Sequence, residues 1–435
     1  FRRFPMTPSQ ASSPPAVDLV PAAMGAQGDA IATFEGKRVF VPFALPGERV
    51  RATLRPKTPE GLIAADMEIL APAPDRVTPP CRHFGVCGGC KLQHWADASY
   101  RAWKVDLVRQ ALRHQGLDMP ARVEAVFLPA GTRRRAEFAA IKKDGCAELG
   151  FQEARSHRIV DQQECPILAP DLARIGAPLR DALGEMLSEG QAVDILATAT
   201  DSGLDLAIAA DRAPSERQRQ VLARFAEAAA VARITWRGKR GDGEPIVQLR
   251  APQLTMGGVA VDLPSPAFLQ PSAAGEAALR EAVLALLVKP KRIAELYAGS
   301  GTFTFDLARL GRVHAVEASK PALQALEQAA RRAQMSHRIT TEVRDLERAP
   351  LTALELKQFD TVVFDPPRVG AKAQSEILAR ASVRQVVGIS CNPATFARDA
   401  RALVDGGLTM AALTVIDQFI WSPHVEIVAG FQRQR

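Results

Sequence analysis

The chain of 435 residues carries 55 Lys and Arg against 48 Asp and Glu, a net charge of +7, with 47% hydrophobic and 24% charged residues. That length fits about two or three domains, and the composition excludes a disordered, fibrous or membrane-embedded chain. No apolar run approaches the roughly 18–20 residues needed to cross a bilayer, and the first residues have no signal-peptide core, so a cytoplasmic protein with no membrane partner is expected. The moderate basicity suits a polyanionic partner. Six cysteines are too few for a disulfide scaffold, which makes their spacing informative.

Residues 1–16 are rich in Pro and Ser and read as a disordered tail. From 17 to 72, short β-type runs alternate with glycine turns, the pattern of a small barrel. Lys37, Arg38, Arg49, Arg51, Arg55 and Lys57 make it basic, as RNA contacts or as a solvated surface. The series Gly25-Ala-Gln-Gly-Asp-Ala-Ile-Ala, Val39-Phe-Val-Pro and Leu45-Pro-Gly-Glu resembles a TRAM domain, an OB-like RNA-binding barrel. A Pro-rich boundary follows, and then Cys81, Cys87 and Cys90 in a C-x5-C-x2-C array, with Cys165 in a later Cys-Pro. Four thiolates can hold tetrahedral zinc or a [4Fe–4S] cluster. The uneven spacing is not that of paired zinc knuckles, and Cys-Pro is common at iron–sulfur sites.

Residues 97–115 predict an amphipathic helix with Trp103, Leu107, Val108, Ala111 and Leu112 on one face. Next, Thr132-Arg133-Arg134-Arg135 begins a strand in the densest basic region, with Lys142, Lys143, Arg155, His157 and Arg158 nearby. Arginines contact phosphates and stack on bases; the alternative is a solvated edge strand, and alternation sets Arg134 opposite its neighbours. Residues 168–255 read as helices interleaved with strands, carry no chemical motif and look like scaffold.

The last third opens at Pro264-Ser-Pro-Ala-Phe268-Leu-Gln270-Pro and continues as a βαβ pattern. The strand to Tyr297 meets the turn Ala298-Gly-Ser-Gly-Thr302, and the second strand ends in Glu317. Such a turn admits a ligand to the backbone, and an acid about 20 residues on binds ribose hydroxyls. The third dinucleotide glycine is replaced by Thr304, against a nicotinamide cofactor. Downstream, Asp365-Pro-Pro-Arg ends a fourth strand, which points to methyl transfer onto a nucleobase. Cys391, in Ser390-Cys-Asn-Pro, stands between a buried strand and a helix start that would favour its thiolate. It is either a nucleophile or a plain core cysteine. Glu426 lies on a terminal strand, as a base or as a surface carboxylate. The pair matches a known chemical need. Uracil C5 attacks a methylsulfonium once a soft nucleophile has added to C6, and a base must then remove the C5 proton.

Together the Cys81/Cys87/Cys90/Cys165 array, Phe268-Leu-Gln270, Tyr297-Ala-Gly-Ser-Gly, Asp365-Pro-Pro-Arg, Ser390-Cys-Asn-Pro-Ala-Thr and His424-Val-Glu426 resemble the bacterial RNA (uracil-5-)-methyltransferases. The closer likeness is to the iron–sulfur enzymes of that family that act on 23S ribosomal RNA. The resemblance spans 17–435. It implies Cys391 as nucleophile, Glu426 as base, and Gln270, Tyr297, Thr302, Glu317, Asp345 and Asp365 as S-adenosylmethionine contacts. Thr302 and Asp345 stand where the family commonly has Asn. Phe268, with Arg133, Arg134, Arg135, Lys37 and Arg38, would meet RNA, and the target base would be flipped out.

The expected fold class is α/β with three parts, acting as a monomer. An OB-like TRAM barrel covers 17–72. A central α+β iron–sulfur domain covers 75–92 and 125–255. A doubly wound, Rossmann-like class I methyltransferase domain covers 95–120 and 256–435. The expected reaction forms 5-methyluridine in 23S ribosomal RNA, with a uridine in the T-loop of tRNA as the alternative substrate. More distant alternatives are an iron–sulfur oxidoreductase and a non-catalytic RNA-binding factor.

Overall fold

The computed structural model describes residues 16–58, 61–154, 156–238 and 243–433. The expected tail before residue 16 and Arg155 lie outside the described residues. Two compact units are present. The smaller takes the chain up to Pro80, together with Cys90–Trp103 and Trp421–Pro423; the larger takes Cys81–Gly89, Lys104–Ile420 and His424–Arg435.

In the smaller unit six strands form one sheet: Val17–Leu19, Ala23–Met24, Ala30–Phe34, Lys37–Val41, Arg49–Thr58 and Gly61–Ala71. Their alternation buries Ala30, Ala32, Val39, Val41, Val50 and Ala52 on one face. Lys37 and Arg38 lie exposed at the start of their strand.

The larger unit holds two large sheets. The first, of seven strands, runs in the spatial order Ile159–Asp161, Cys146–Gln152, Arg135–Lys143, Ala192–Thr200, Gly203–Ala209, Val231–Arg237, Glu244–Gln248. Helices Gly176–Met186 and Glu216–Ala228 bury Leu179, Leu183, Leu222 and Phe225 in the same core as Phe138, Ile195 and Leu206. Ser215 opens the second helix with a capping box shared with Gln218.

The second sheet has eight strands, in the order Ile339–Val343, Arg312–Glu317, Arg292–Leu296, Thr361–Phe364, Gln385–Ser390, Glu426–Arg433, Leu408–Asp417, Arg122–Phe127. Every neighbouring pair is parallel except the two made by Glu426–Arg433. The central strands Thr361–Phe364 and Gln385–Ser390 are buried at every residue, because helices cover both faces. From Arg292–Leu296 the chain winds outward one way and then returns to Thr361–Phe364. The carboxyl ends of these two strands therefore flank the switch point, where open α/β sheets bind ligands. The edge strand Arg122–Phe127 belongs to this sheet, so the boundary expected at 120–125 falls within it. On the helix Asp97–His114, Val108 and Leu112 pack in the core of this sheet with Leu296, Val362 and Phe396.

Candidate active site

The switch point opens into a cavity of about 700 Å³ lined by Gln270, Tyr297, Thr302, Glu317, Asp345, Asp365, Cys391 and Glu426, with Arg133, Arg135 and Phe268 also on its wall. Residues from the carboxyl ends of five strands, the starts of two more and the 264–271 segment thus share one space. Tyr297 has φ +62°, the left-handed region that L side chains avoid, so the strand-to-helix turn is strained where it meets the cavity. Gly299, at φ +56°, fits this turn, and a side-chain carbon there would meet nothing within 4 Å. It leaves the cavity open against the backbone. Glu317 is held from both oxygens, accepting from the Gly299 amide at 3.0 Å and the Ser319 amide at 2.8 Å. Asp345 accepts from the amides of Glu347 and Arg348 at 3.0 and 3.3 Å.

Cys391 follows the buried strand Gln385–Ser390 and precedes the helix Pro393–Asp405. Asn392 caps that helix, its Oδ1 accepting from the Ala394 amide at 3.1 Å, and Pro393 sets the first helical φ. The loop is tied to its neighbour, since Asn392 Nδ2 and Thr395 Oγ1 donate to the Arg368 carbonyl at 3.1 and 3.2 Å. The thiol is thereby fixed beside the Asp365-Pro-Pro-Arg loop.

The electrostatics run against the sequence expectation for this thiol. Burial, then the Glu426 and Asp365 charges, push Cys391 up to about 11, although Arg368 opposes them. A helix start alone does not outweigh desolvation and two carboxylates. Burial pushes Asp365 up to about 7, opposed by a hydrogen bond from Gln270. Glu426 rises to about 8 through burial and then the Asp365 charge, opposed by a hydrogen bond from Gln418. Glu295, on the strand beneath the turn, is wholly buried and pushed up to about 8 by that burial. The Thr304 hydroxyl and the Phe303 amide oppose that rise, although neither contact reaches full hydrogen-bond geometry among the described residues.

Three side chains escaped sequence reasoning. Gln418 links Glu426 to Gln270, with Nε2 at 3.1 Å from Glu426 Oε1 and 2.8 Å from Gln270 Oε1. Lys104, wholly buried, donates to Asp417 Oδ1 at 2.8 Å and to the carbonyls of Phe419 and His424. It thereby clamps the loop leading to Glu426, while burial lowers its pKa against the pull of Asp417. Glu295 is the third. Gln270 lies 148 positions from Gln418, and Asp417 lies 313 positions from Lys104, so no local pattern announces these pairs.

Arg134 is a correction. Its side chain points inward, pairing with Glu276 and donating to the Gln270 carbonyl at 3.1 Å, and it is 7% exposed. It joins the strand to the helix Ala273–Leu286 and cannot meet RNA. Strand alternation leaves Arg133 and Arg135 on the cavity side. Phe268 is 74% exposed, with the Arg135 guanidinium 5.8 Å from its ring centre. Arg135 Nε is buried without a hydrogen-bond partner among the described residues.

Of the four array cysteines, Cys81, Cys87 and Cys165 lie in the larger unit and Cys90 in the smaller. The 81–87 loop is joined to the 163–165 segment by Arg82–Glu164 at 3.1 Å and by the Gln163 amide donating to His83 Nε2 at 3.3 Å. The Gly89 amide donates to Cys87 Sγ at 3.4 Å. Burial raises Cys87, and it pushes Cys165 up to about 11. Desolvated thiols facing backbone amides suit a cationic centre in chemistry. Among the described residues, however, no three His, Cys, Asp or Glu side chains stand in metal-holding array. Nor, among those residues, is any helix long and apolar enough to cross a membrane.

Comparison with known proteins agrees with this geometry. The family described as tRNA (uracil-5-)-methyltransferase matches residues 259–434. An uncharacterized RNA methyltransferase of Agrobacterium fabrum is 43% identical over 418 residues, covering 94% of this chain and 98% of its own. A 23S rRNA (uracil(1939)-C(5))-methyltransferase of Halomonas elongata is 34% identical over 413 residues, covering 90% of this chain and 84% of its own. Among solved structures, the tRNA (uracil-54, C5)-methyltransferase of Pyrococcus abyssi, in complex with S-adenosyl-L-homocysteine, shares the fold at TM-score 0.74 and 24% identity. That match covers 95% of this chain and 100% of the other. The chain belongs to the RNA (uracil-5-)-methyltransferase family, and it is an RNA methyltransferase of the α/β class I fold.

Proposed function

We propose that this enzyme methylates C5 of a uridine in 23S ribosomal RNA, using S-adenosylmethionine, as a cytoplasmic monomer. The observation that carries the reading is that Cys391 and Glu426 line the same switch-point cavity as the glycine turn and Asp365. Gln270, Tyr297, Thr302, Glu317, Asp345 and Asp365 would hold the methyl donor. The open space against Gly299 and the backbone-fixed Glu317 carboxylate support that assignment.

In the reaction, the Cys391 thiolate forms a bond to C6 of the flipped uracil, and the displaced π electrons move onto O4 as an enolate. C5 then attacks the methyl carbon, the sulfur–methyl bond breaks, and S-adenosylhomocysteine leaves. Glu426 takes the C5 proton. The C5–H electrons restore the C5–C6 double bond and expel the thiolate. A sulfonium cation held in this cavity would offset the Asp365 and Glu426 charges that raise the thiol pKa and so would favour the thiolate. Phe268 offers a ring to the target nucleotide, and Arg133 and Arg135 offer cations to its phosphates. The basic six-stranded N-terminal sheet is assigned as a TRAM barrel, with Lys37 and Arg38 toward RNA. The domain division expected from sequence is kept for the remainder.

Cys81, Cys87, Cys90 and Cys165 are assigned as ligands of a structural [4Fe–4S] cluster. Their spacing and the amide contacts at sulfur support the assignment, and it enters no chemical step. The 34% identical relative favours ribosomal RNA, while the family description and the Pyrococcus structure keep a tRNA uridine as the second reading. Mapping 5-methyluridine in both RNAs, with and without the gene, decides between them. Loss from 23S ribosomal RNA alone is expected, and loss from tRNA alone overturns the choice.

A further inference from the structure

Gln418 immediately follows the strand Leu408–Asp417, is 5% exposed, and belongs to no motif. An amide nitrogen carries two protons, and here both have acceptors: Gln270 Oε1 at 2.8 Å and Glu426 Oε1 at 3.1 Å. Gln270 Nε2 in turn donates to Asp365 Oδ2 at 3.1 Å. A buried chain of amides thus joins the carboxyl of Asp365 to that of Glu426. Gln418 Oε1 is buried without a partner among the described residues. Reversing the amide would set that oxygen against the oxygens of Gln270 and Glu426 and lose both bonds. The two acceptors therefore fix the orientation, despite one unpaired oxygen. Gly275 makes the room. A side-chain carbon at this position of the helix Ala273–Leu286 would collide with Gln418 Oε1 and stand 2.9 Å from its Cβ.

We infer that Gln418 is a positioning residue for proton removal from C5, holding one oxygen of Glu426 so that the other meets the substrate. The inference rests on the uracil-5 reading. Among the described residues no hydrogen bond to the Glu426 carboxyl other than that from Gln418 is present. A donor to the carboxylate also favours the ionised form that a base needs. Removing the donor leaves a buried carboxyl with nothing to orient it, and a misplacement of about 1 Å can cost about 100-fold in rate.

The test compares Gln418→Met and Gly275→Ala with the wild type. The second variant displaces the amide without changing its chemistry. A 23S ribosomal RNA transcript is prepared with uridine and with 5-fluorouridine, which has no C5 proton to remove and so stops at the covalent adduct. With S-adenosylmethionine saturating, both variants are expected to form the fluorouridine adduct at the wild-type rate. On ordinary transcript, turnover should fall about 10- to 100-fold, and a covalent enzyme–RNA adduct absent from the wild type should accumulate. The acid limb of the rate should also move to higher pH. Unchanged turnover, slowed turnover without accumulating adduct, or loss of the fluorouridine adduct in both variants would overturn the inference. Failure of the unsubstituted enzyme to form that adduct would instead overturn the reading beneath it.

Discussion

Asp365 accepts a hydrogen bond of 3.1 Å from Gln270, a residue 95 positions earlier in the chain. Through its charge Asp365 also raises both Glu426 and Cys391. One carboxyl at the switch point therefore influences Gln270, Glu426 and Cys391 together. Asp365→Asn should weaken S-adenosylmethionine binding about tenfold or more, the loss of a hydrogen-bonded charge of about 1.5–3 kcal/mol. It should also shift alkylation of Cys391, followed by peptide mass spectrometry, to lower pH. Alkylation unchanged in pH dependence would show that the charge does not reach the thiol.

The reaction rate should climb with pH. In the proposed mechanism Glu426, held at about 8, serves as base only when ionised, and Cys391, held at about 11, attacks only as thiolate. Both demands point the same way, so single-turnover rates should increase from pH 6 to pH 8.5. A rate flat across that range would mean that neither ionisation limits the chemistry.

Glu295 gives a stability prediction with a definite sign. Its folded pKa of about 8 lies above the ordinary glutamate value of 4.5, so the folded state holds the proton more tightly. This group's stabilising contribution is full below pH 4.5 and is lost as pH rises toward 8. Glu295→Gln should therefore melt close to the wild type at pH 5 and above it at pH 9. A gap that shrinks as pH rises would contradict this.

The three adjacent arginines should separate cleanly. Arg134→Ala leaves the Glu276 carboxylate buried without its partner and should cost about 3–5 kcal/mol in denaturant unfolding. Arg133→Ala and Arg135→Ala should unfold near the wild type but bind RNA more weakly, with a shallower salt dependence. Equal loss of RNA affinity from all three in folded protein would contradict the inward placement of Arg134.

For the cysteine array, protein purified without oxygen should carry iron and sulfide and absorb visible light. Cys90→Ser or chelation should remove both iron and colour. A colourless protein holding zinc would reassign the site.

Much of the site was legible because its chemistry sits on local signals. The glycine turn, Asp365-Pro-Pro and Ser390-Cys391-Asn-Pro each end a β-branched strand, and parallel strands place their carboxyl ends along one edge. Other features depended on contacts across the fold. Strand alternation already set Arg134 apart from its neighbours, yet its partner Glu276 lies on a distant helix. The helix start at Cys391 was visible in sequence, but the carboxylates that raise its thiol were not visible as neighbours. Gln418, Lys104 and Glu295 are ordinary residue types whose roles come from burial, which a single sequence does not print. The strand Arg122–Phe127 joined the eight-stranded sheet through pairing with Leu408–Asp417, nearly three hundred residues on.

The most direct test of the central claim is to mix the enzyme with S-adenosylmethionine and 5-fluorouridine-substituted 23S ribosomal RNA, and then to look for protein that stays with RNA under denaturing conditions. A methylated covalent adduct formed by the wild type and absent from Cys391→Ala is the predicted result. No adduct with the wild type, together with no 5-methyluridine in ordinary transcript, would contradict the account.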